Sequence, residues 1–216
     1  MKLIIGNKNY SSWSLRPWLL LATHKLAFEE ERIPLDEPDT KARILAASEA
    51  GKVPVLKDGD LTVWDSLAIC EYVSEKYLDG KGWPQDMAAR AEARAVSAEM
   101  HSGLSAIRGQ MPMNCRATGR KVPMTPELEQ EIARVDRLWS QCRQKYGSAG
   151  PWLFGEFSIA DCMFAPVTSR FATYGVSLSE SAAAYQQQVL NADAMRAWVQ
   201  AGCEETEIVE ADEAGA

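Results

Sequence analysis

Histidine is scarce in this chain of 216 residues, and neither His24 nor His101 stands at metal-ligand spacing from another candidate ligand, so no metal centre is expected. No C-x-x-C pair occurs either. The five cysteines (Cys70, Cys115, Cys142, Cys162, Cys203) are odd in number and far apart, which fits reduced thiols and a cytosolic compartment better than a disulfide framework or a zinc site. Lysine and arginine number 23 against 30 acidic residues, a net charge of −7, which argues against a surface built to track nucleic-acid phosphates. No basic-plus-apolar leader and no apolar run of about 18 residues appears, so neither secretion nor a membrane span is expected. A G-x-S-x-G elbow is missing, which counts against a Ser/His/Asp hydrolase.

What is present is enough apolar residue, 46%, to fill a sizeable core. The first eighty residues alternate strand-like and helix-like patterns. "KLIIG" reads as a short buried strand, "SLRPWLLLATHKL" as a helix and "AFEEERIPL" as a second strand. "DTKARILAA" is a short helix, "VPVLKDGDLTVW" a hairpin turning at Asp58-Gly59, and "DSLAICEYVSEKYL" an amphipathic helix. The order β-α-β-α-β-β-α predicts a small α/β domain with a mixed sheet over residues 1–79. Gly and Pro in "DGKGWPQ" mark a linker at 80–86, and an all-helical domain is expected over 87–216.

In that second half Ala93, Val96, Met100, Leu104, Ile107 and Met111 recur at the spacing of one long helix. A further helix opens at Thr125 with Pro126 in its first turn and stops near Gly147. Ser158 and Asp161 in "EFSIADC" have capping-box spacing. From about residue 204 the chain carries Glu204, Glu205, Glu207, Glu210, Asp212 and Glu213 with no cation among them, and this acidic tail is expected to be solvated and frayed.

Three stretches can carry chemistry. "NYSSWSL" sets Ser11, Ser12 and Ser14 around Trp13 where the first helix begins; capping needs only one hydroxyl, and a remaining one can donate to an anion such as a thiolate. "KVP" puts Pro54 at the start of an edge-facing strand, where the backbone of Val53 is free to pair with a peptide-like ligand, though a plain turn proline is an equally ordinary reading. "WDS" puts Asp65 and Ser66 at a helix N-terminus, a place that favours a carboxylate ligand and equally a simple Asp cap. Trp18 and Trp64 read as core aromatics, and Trp13 as a wall of an apolar pocket. Met111 and Cys115 are candidates to line the same pocket, while the two histidines receive no role.

Taken in order, "SSWSLRPWLLL", "GKVPVL", "DSLAICEYV" and "FSIADCMFAPV" resemble the glutathione S-transferase superfamily over nearly the whole chain, in its serine-type zeta and theta classes. The resemblance implies a thioredoxin-like N-terminal domain, a helical C-terminal domain, and glutathione as co-substrate without a metal. By that resemblance Ser11 is the thiol-activating serine, with Ser12 selected if the register slips by one. Lys52, Val53, Pro54, Asp65 and Ser66 hold glutathione, and Trp13, Met111 and Cys115 flank a small apolar electrophile. The zeta pattern has cysteine where this chain has Trp13, which weakens the isomerase expectation, and the lack of cysteine in residues 1–69 counts against mixed-disulfide chemistry. A homodimer working in detoxification is implied. The competing expectations are a glutathione-dependent isomerase or peroxidase at the same site, or a non-catalytic interaction protein of the same fold.

Overall fold

The structure, a computed structural model, describes residues 1–215. Its first half runs β1 (Lys2–Ile5), α1 (Ser12–Thr23), β2 (Glu29–Arg32), α2 (Thr40–Ala47), β3 (Val55–Asp58), β4 (Leu61–Trp64) and α3 (Ser66–Tyr77). The strands form one mixed sheet in the order β2-β1-β3-β4, with β1 parallel to β2 and antiparallel to β3. Alternation along the strands sorts their side chains between two cores. Leu3, Ile5 and Leu56 face the main core with α1 and α3, while Ile4 and Val55 face a smaller one closed by Ile33 and Ile44. Two expected details differ. The hairpin loop is Gly59-Asp60, because Asp58 still pairs with Leu61 and Gly59 takes the positive φ of +60° that the tight turn requires. Pro54 precedes an inner strand, β3, not an edge one; it stands one residue outside the ladder and so costs the sheet no donor.

The second half is helical: α4 (Met87–Ser102), α5 (Ser105–Gln110), α6 (Pro126–Tyr146), α7 (Ile159–Thr173), α8 (Glu180–Leu190) and α9 (Asp193–Glu204). The expected long helix through Met111 is interrupted. Leu104 adopts a left-handed φ of +54° just after Gly103, so α5 leaves α4 at an angle its periodicity does not reveal. Thr125 caps α6 as expected, its Oγ1 accepting from Leu128 N at 3.3 Å. At α7 the carboxylate of Asp161 accepts from Ser158 N (2.8 Å), Ser158 Oγ (3.1 Å), Leu153 N (3.1 Å) and Tyr185 Oη (3.1 Å), so one buried acid fixes the helix start, the preceding loop and α8.

The segment between the halves is stitched to both: Ser74 Oγ accepts from Gly82 N, Gly82 O accepts from Ile159 N, and buried Trp83 donates to Glu71. Helix α1 packs against α3, α7 and α9, and a single core cluster runs from Leu3 to Trp198.

The acidic tail is not frayed. Glu205 accepts from the backbone N–H groups of Lys8 (2.7 Å) and Asn9 (3.1 Å), and Arg116 donates to the carbonyls of Glu205 and Glu207. Glu207 pairs with Arg32 at 2.8 Å, and Glu213 with Arg120 at 2.5 Å. The carboxylates lack a cation nearby in sequence, but the fold brings Arg32 and Arg120 to them and Arg116 to the tail's backbone. A short 3-10 turn, Glu210–Asp212, completes this strap.

Candidate active site

A cleft of about 880 Å³ opens between the end of the sheet and the helical half. It gathers most of the residues singled out in the sequence: Ser11, Ser12, Trp13, Lys52, Val53, Pro54, Asp65 and Ser66 all line it. The Val53–Pro54 peptide is cis. Met111 and Cys115 are not on its wall; Met111 is buried behind it and offers only its carbonyl, to Arg170 (3.0 Å), while Cys115 turns its Sγ toward Lys8 O (3.6 Å), and burial pushes its thiol up to about 12. Trp64, expected in the core, is 55% exposed at the cleft rim because β4 is an edge strand. Trp13 lies in the first turn of α1 instead of on a loop.

The three serines divide their work. Ser11 is the N-cap of α1; its Oγ accepts from Ser14 N (3.4 Å) and donates to Ser14 Oγ (2.8 Å), which in turn accepts from Gly6 N (3.1 Å). Its proton is thereby spent inside the protein. Ser12 Oγ accepts from Arg170 Nη2 at 3.0 Å, across 158 positions of sequence. An arginine can only donate, so the hydroxyl proton of Ser12 is left to point elsewhere, and Ser12 lines the cleft. Tyr10 also reaches the cleft, but its hydroxyl is engaged with Glu213 (2.6 Å) and Arg116 (2.7 Å).

The same construction recurs at the other end. Ser66 Oγ accepts from Arg16 Nη1 (3.1 Å), leaving its proton free at the N-terminus of α3. Arg16 also donates to His101 Nδ1 (3.3 Å), which fixes the tautomer: the ring hydrogen sits on Nε2 and is donated to Asp65 Oδ2 at 3.0 Å. Burial holds His101 below its ordinary value, consistent with a neutral ring at pH 7. Asp65 itself adopts a φ of +76°, and its Oδ1 caps α3 by accepting from Leu67 N (2.9 Å) and Ala68 N (3.1 Å). Both its cap role and its place at the ligand cleft are therefore realised together.

Arginines 16, 108 and 170 and His101 are the site residues that sequence reasoning passed over. Burial pulls Arg16 down to about 9 and Arg170 to about 10, which leaves both cationic at neutral pH. The Arg16 guanidinium stands 4.1 Å from the Trp13 ring centroid and that of Arg108 5.5 Å, with the His101 ring edge-on at 5.3 Å. Trp13 is thus flanked by two guanidinium groups and the His101 ring. A signal was available: Arg16 is the one charge in α1, and Arg170 the one charge in α7 beyond the capping Asp161; a helix with no polar face buries whatever charge it carries.

Residues 10–76 match the family of the glutathione S-transferase N-terminal domain, and residues 116–201 that of the glutathione S-transferase C-terminal domain. The chain belongs to the glutathione S-transferase superfamily. Among curated relatives of this superfamily member, mouse glutathione S-transferase theta-3 is 32% identical over 148 residues, covering 64% of this chain and 61% of the relative. A probable maleylacetoacetate isomerase of Caenorhabditis elegans is 32% identical over 97 residues, 45% of each chain. The chain spans less than half the length of the curated relatives it matches most strongly. Among solved structures, a zeta-class bacterial maleyl pyruvate isomerase superposes with a TM-score of 0.72 at 19% identity, over 96% of this chain and 100% of that one. A Burkholderia glutathione transferase homolog with bound glutathione gives 0.67 at 21%, over 93% and 96%. These likenesses establish the thioredoxin-like fold with a mixed sheet followed by a helical half.

Proposed function

We propose that this chain is a serine-type glutathione transferase in which Ser12 donates the hydrogen bond that holds the glutathione sulfur as a thiolate. The observation that carries the reading is the pair of serine–arginine units at the two ends of one cleft. In each, Arg170 or Arg16 occupies the acceptor side of the hydroxyl, so the proton of Ser12 or Ser66 is available to an anion. Glutathione offers an anionic sulfur and a γ-glutamyl carboxylate at separated positions, and the backbone of Val53, the residue before Pro54, lines the same cleft and suits its cysteinyl peptide. Lys52 on the same wall suits the glycyl carboxylate. Ser11, the choice by motif register, serves better as the cap that sets the start of α1.

In the reaction the thiol proton leaves to solvent, the sulfur attacks the electrophilic carbon, and the leaving group departs with its electron pair. Catalysis then rests on positioning and on stabilising the thiolate, with no metal taking part. Isomerisation is a second reading, favoured by the match to the nematode isomerase; there the sulfur adds, the substrate rotates about the former double bond, and the sulfur leaves again. A homodimer in the cytoplasm completes the reading. Retention on immobilised glutathione, followed by turnover of a panel of halogenated aromatics and cis-alkenoic acids, tests it; a protein that neither binds glutathione nor turns over either class is not this enzyme. Light scattering near 23.9 kDa would contradict the dimer.

A further inference from the structure

The second-substrate end of the cleft is less apolar than the resemblance implies. Arg108 and Arg170 line it together with Trp13, and so does Asp212 of the acidic strap, whose charge acts on Arg170. Among the described residues no carboxylate forms a direct ion pair with either arginine: Arg108 donates to His101 O, Arg170 to Met111 O and Ser12, and the buried Arg170 Nε has no partner at all. A buried guanidinium with an idle donor is a costly arrangement unless an anion completes it. Asp212 is the carboxylate whose charge acts on Arg170, and among the described residues its own side chain makes no hydrogen bond. Its position is set by its neighbour: Glu213 accepts from Tyr10 (2.6 Å), Asn114 (2.9 Å) and Arg120 (2.5 Å), and Tyr174 holds Ala214 O at 3.3 Å. The strap is thus pinned immediately after Asp212, which suspends this one carboxylate at the mouth of the cleft.

We propose that Asp212 is a tethered counter-ion to Arg170 that sets the charge selectivity of this cleft against electrophiles bearing a carboxylate, with Arg108 as the cation left to receive one. With Asp212 in place the charge of Arg170 is partly offset, and an uncharged electrophile pays no electrostatic penalty. An anionic one must displace the aspartate before it gains its own contacts. The inference rests on the transferase reading for its turnover assay but not for its binding assay.

The probes are a chloronitrobenzoate and its methyl ester, at whose ring carbon the glutathione sulfur displaces chloride, together with unreactive nitrobenzoate for binding alone. Asp212→Asn keeps the shape and removes the charge. The expected result is a rise of about ten-fold in the acid-to-ester ratio of kcat/KM and a matching fall in the Kd for nitrobenzoate, the scale of one like charge removed from a desolvated contact. Arg108→Gln should move both quantities in the opposite direction. An unchanged ratio, or equal gains for acid and ester, overturns the proposal, because Asp212 would then be blocking space without selecting charge. If nitrobenzoate tightens in Asp212→Asn while glutathione fails to bind, the transferase reading falls and the charge selection stands. Normal glutathione turnover with nitrobenzoate indifferent to Asp212 has the reverse meaning.

Discussion

Replacing Ser12 by alanine should raise the pKa of enzyme-bound glutathione by about one to two. The magnitude follows from the geometry: a hydrogen bond to an ionised group contributes about 1.5–3 kcal/mol, and each pKa unit corresponds to about 1.4 kcal/mol. The Ser12 hydroxyl is 5% exposed and already polarised by the Arg170 guanidinium at 3.0 Å, so its donation takes place with little competing water. Thiolate absorbance of the glutathione complex followed against pH gives the value directly. The sign is fixed, since a donor to the charged form lowers the pKa and its loss raises it. Ser11→Ala, in contrast, removes the N-cap of α1 and should lower stability by about 0.5–2 kcal/mol while leaving the thiol titration in place. Because Arg170 acts through Ser12, an Arg170→Met change should raise the thiol pKa in the wild type and add little in the Ser12→Ala background. A titration that shifts in Ser11→Ala and not in Ser12→Ala would refute this assignment. No shift in either would remove the serine cluster from the chemistry.

Ser66→Ala should raise KM for glutathione with kcat nearly unchanged, since its contact to the γ-glutamyl carboxylate is the same in ground and transition states; steady-state kinetics at varied glutathione checks this. Asp161→Ala leaves four buried donors without an acceptor and should cost about 3 kcal/mol or more, a fall of about 6–12 °C in Tm by calorimetry, whereas Asp161→Asn, which keeps one acceptor oxygen, should lose less. His24 is held below its ordinary value of 6.5 by burial, and its Nε2 has no partner, so the unfolded chain takes up the proton first. Its contribution to stability is present above 6.5 and lost as pH falls toward the folded value, and chemical denaturation of His24→Gln should show a shallower decline below 6.5 than the wild type.

How much of this was legible in the sequence depended on the distance over which the signal acts. Thr125-Pro126, Ser158 with Asp161, and the strand-helix alternation of the first half are local devices, and they gave the helix starts and the sheet class. The cleft wall that carries Val53-Pro54 and Asp65-Ser66 was legible for the same reason, because both are short motifs whose backbone position is set locally. The break at Gly103–Leu104 was hidden because an apolar period of three and four continues straight through it. Arg108 and Asp212 were hidden because each meets the site only after folding; the apolar helix around Arg170 signalled a buried charge, but no nearby residue revealed its partner. The serine register lay between these cases: local spacing offered Ser11 and Ser12 equally, and only an arginine 158 residues away from Ser12 separates a cap from a donor.

The clasp of Glu205 on the backbone of Lys8 and Asn9 has a consequence in time as well as in space. The two contacts span 197 and 196 positions, close to the full separation available in the chain. During synthesis, at about 5–20 residues per second, the loop leading to Ser11 and Ser12 emerges from the ribosome about ten seconds or more before the carboxylate that secures it. The α/β half can form its sheet and α1 in that interval, yet the loop must wait with two N–H groups hydrated. A nascent chain therefore secures the loop before α1 last, when α9 packs in and Gly202 lets the backbone of that helix close onto Asn9, where an added Cβ would meet Asn9 N at 3.0 Å.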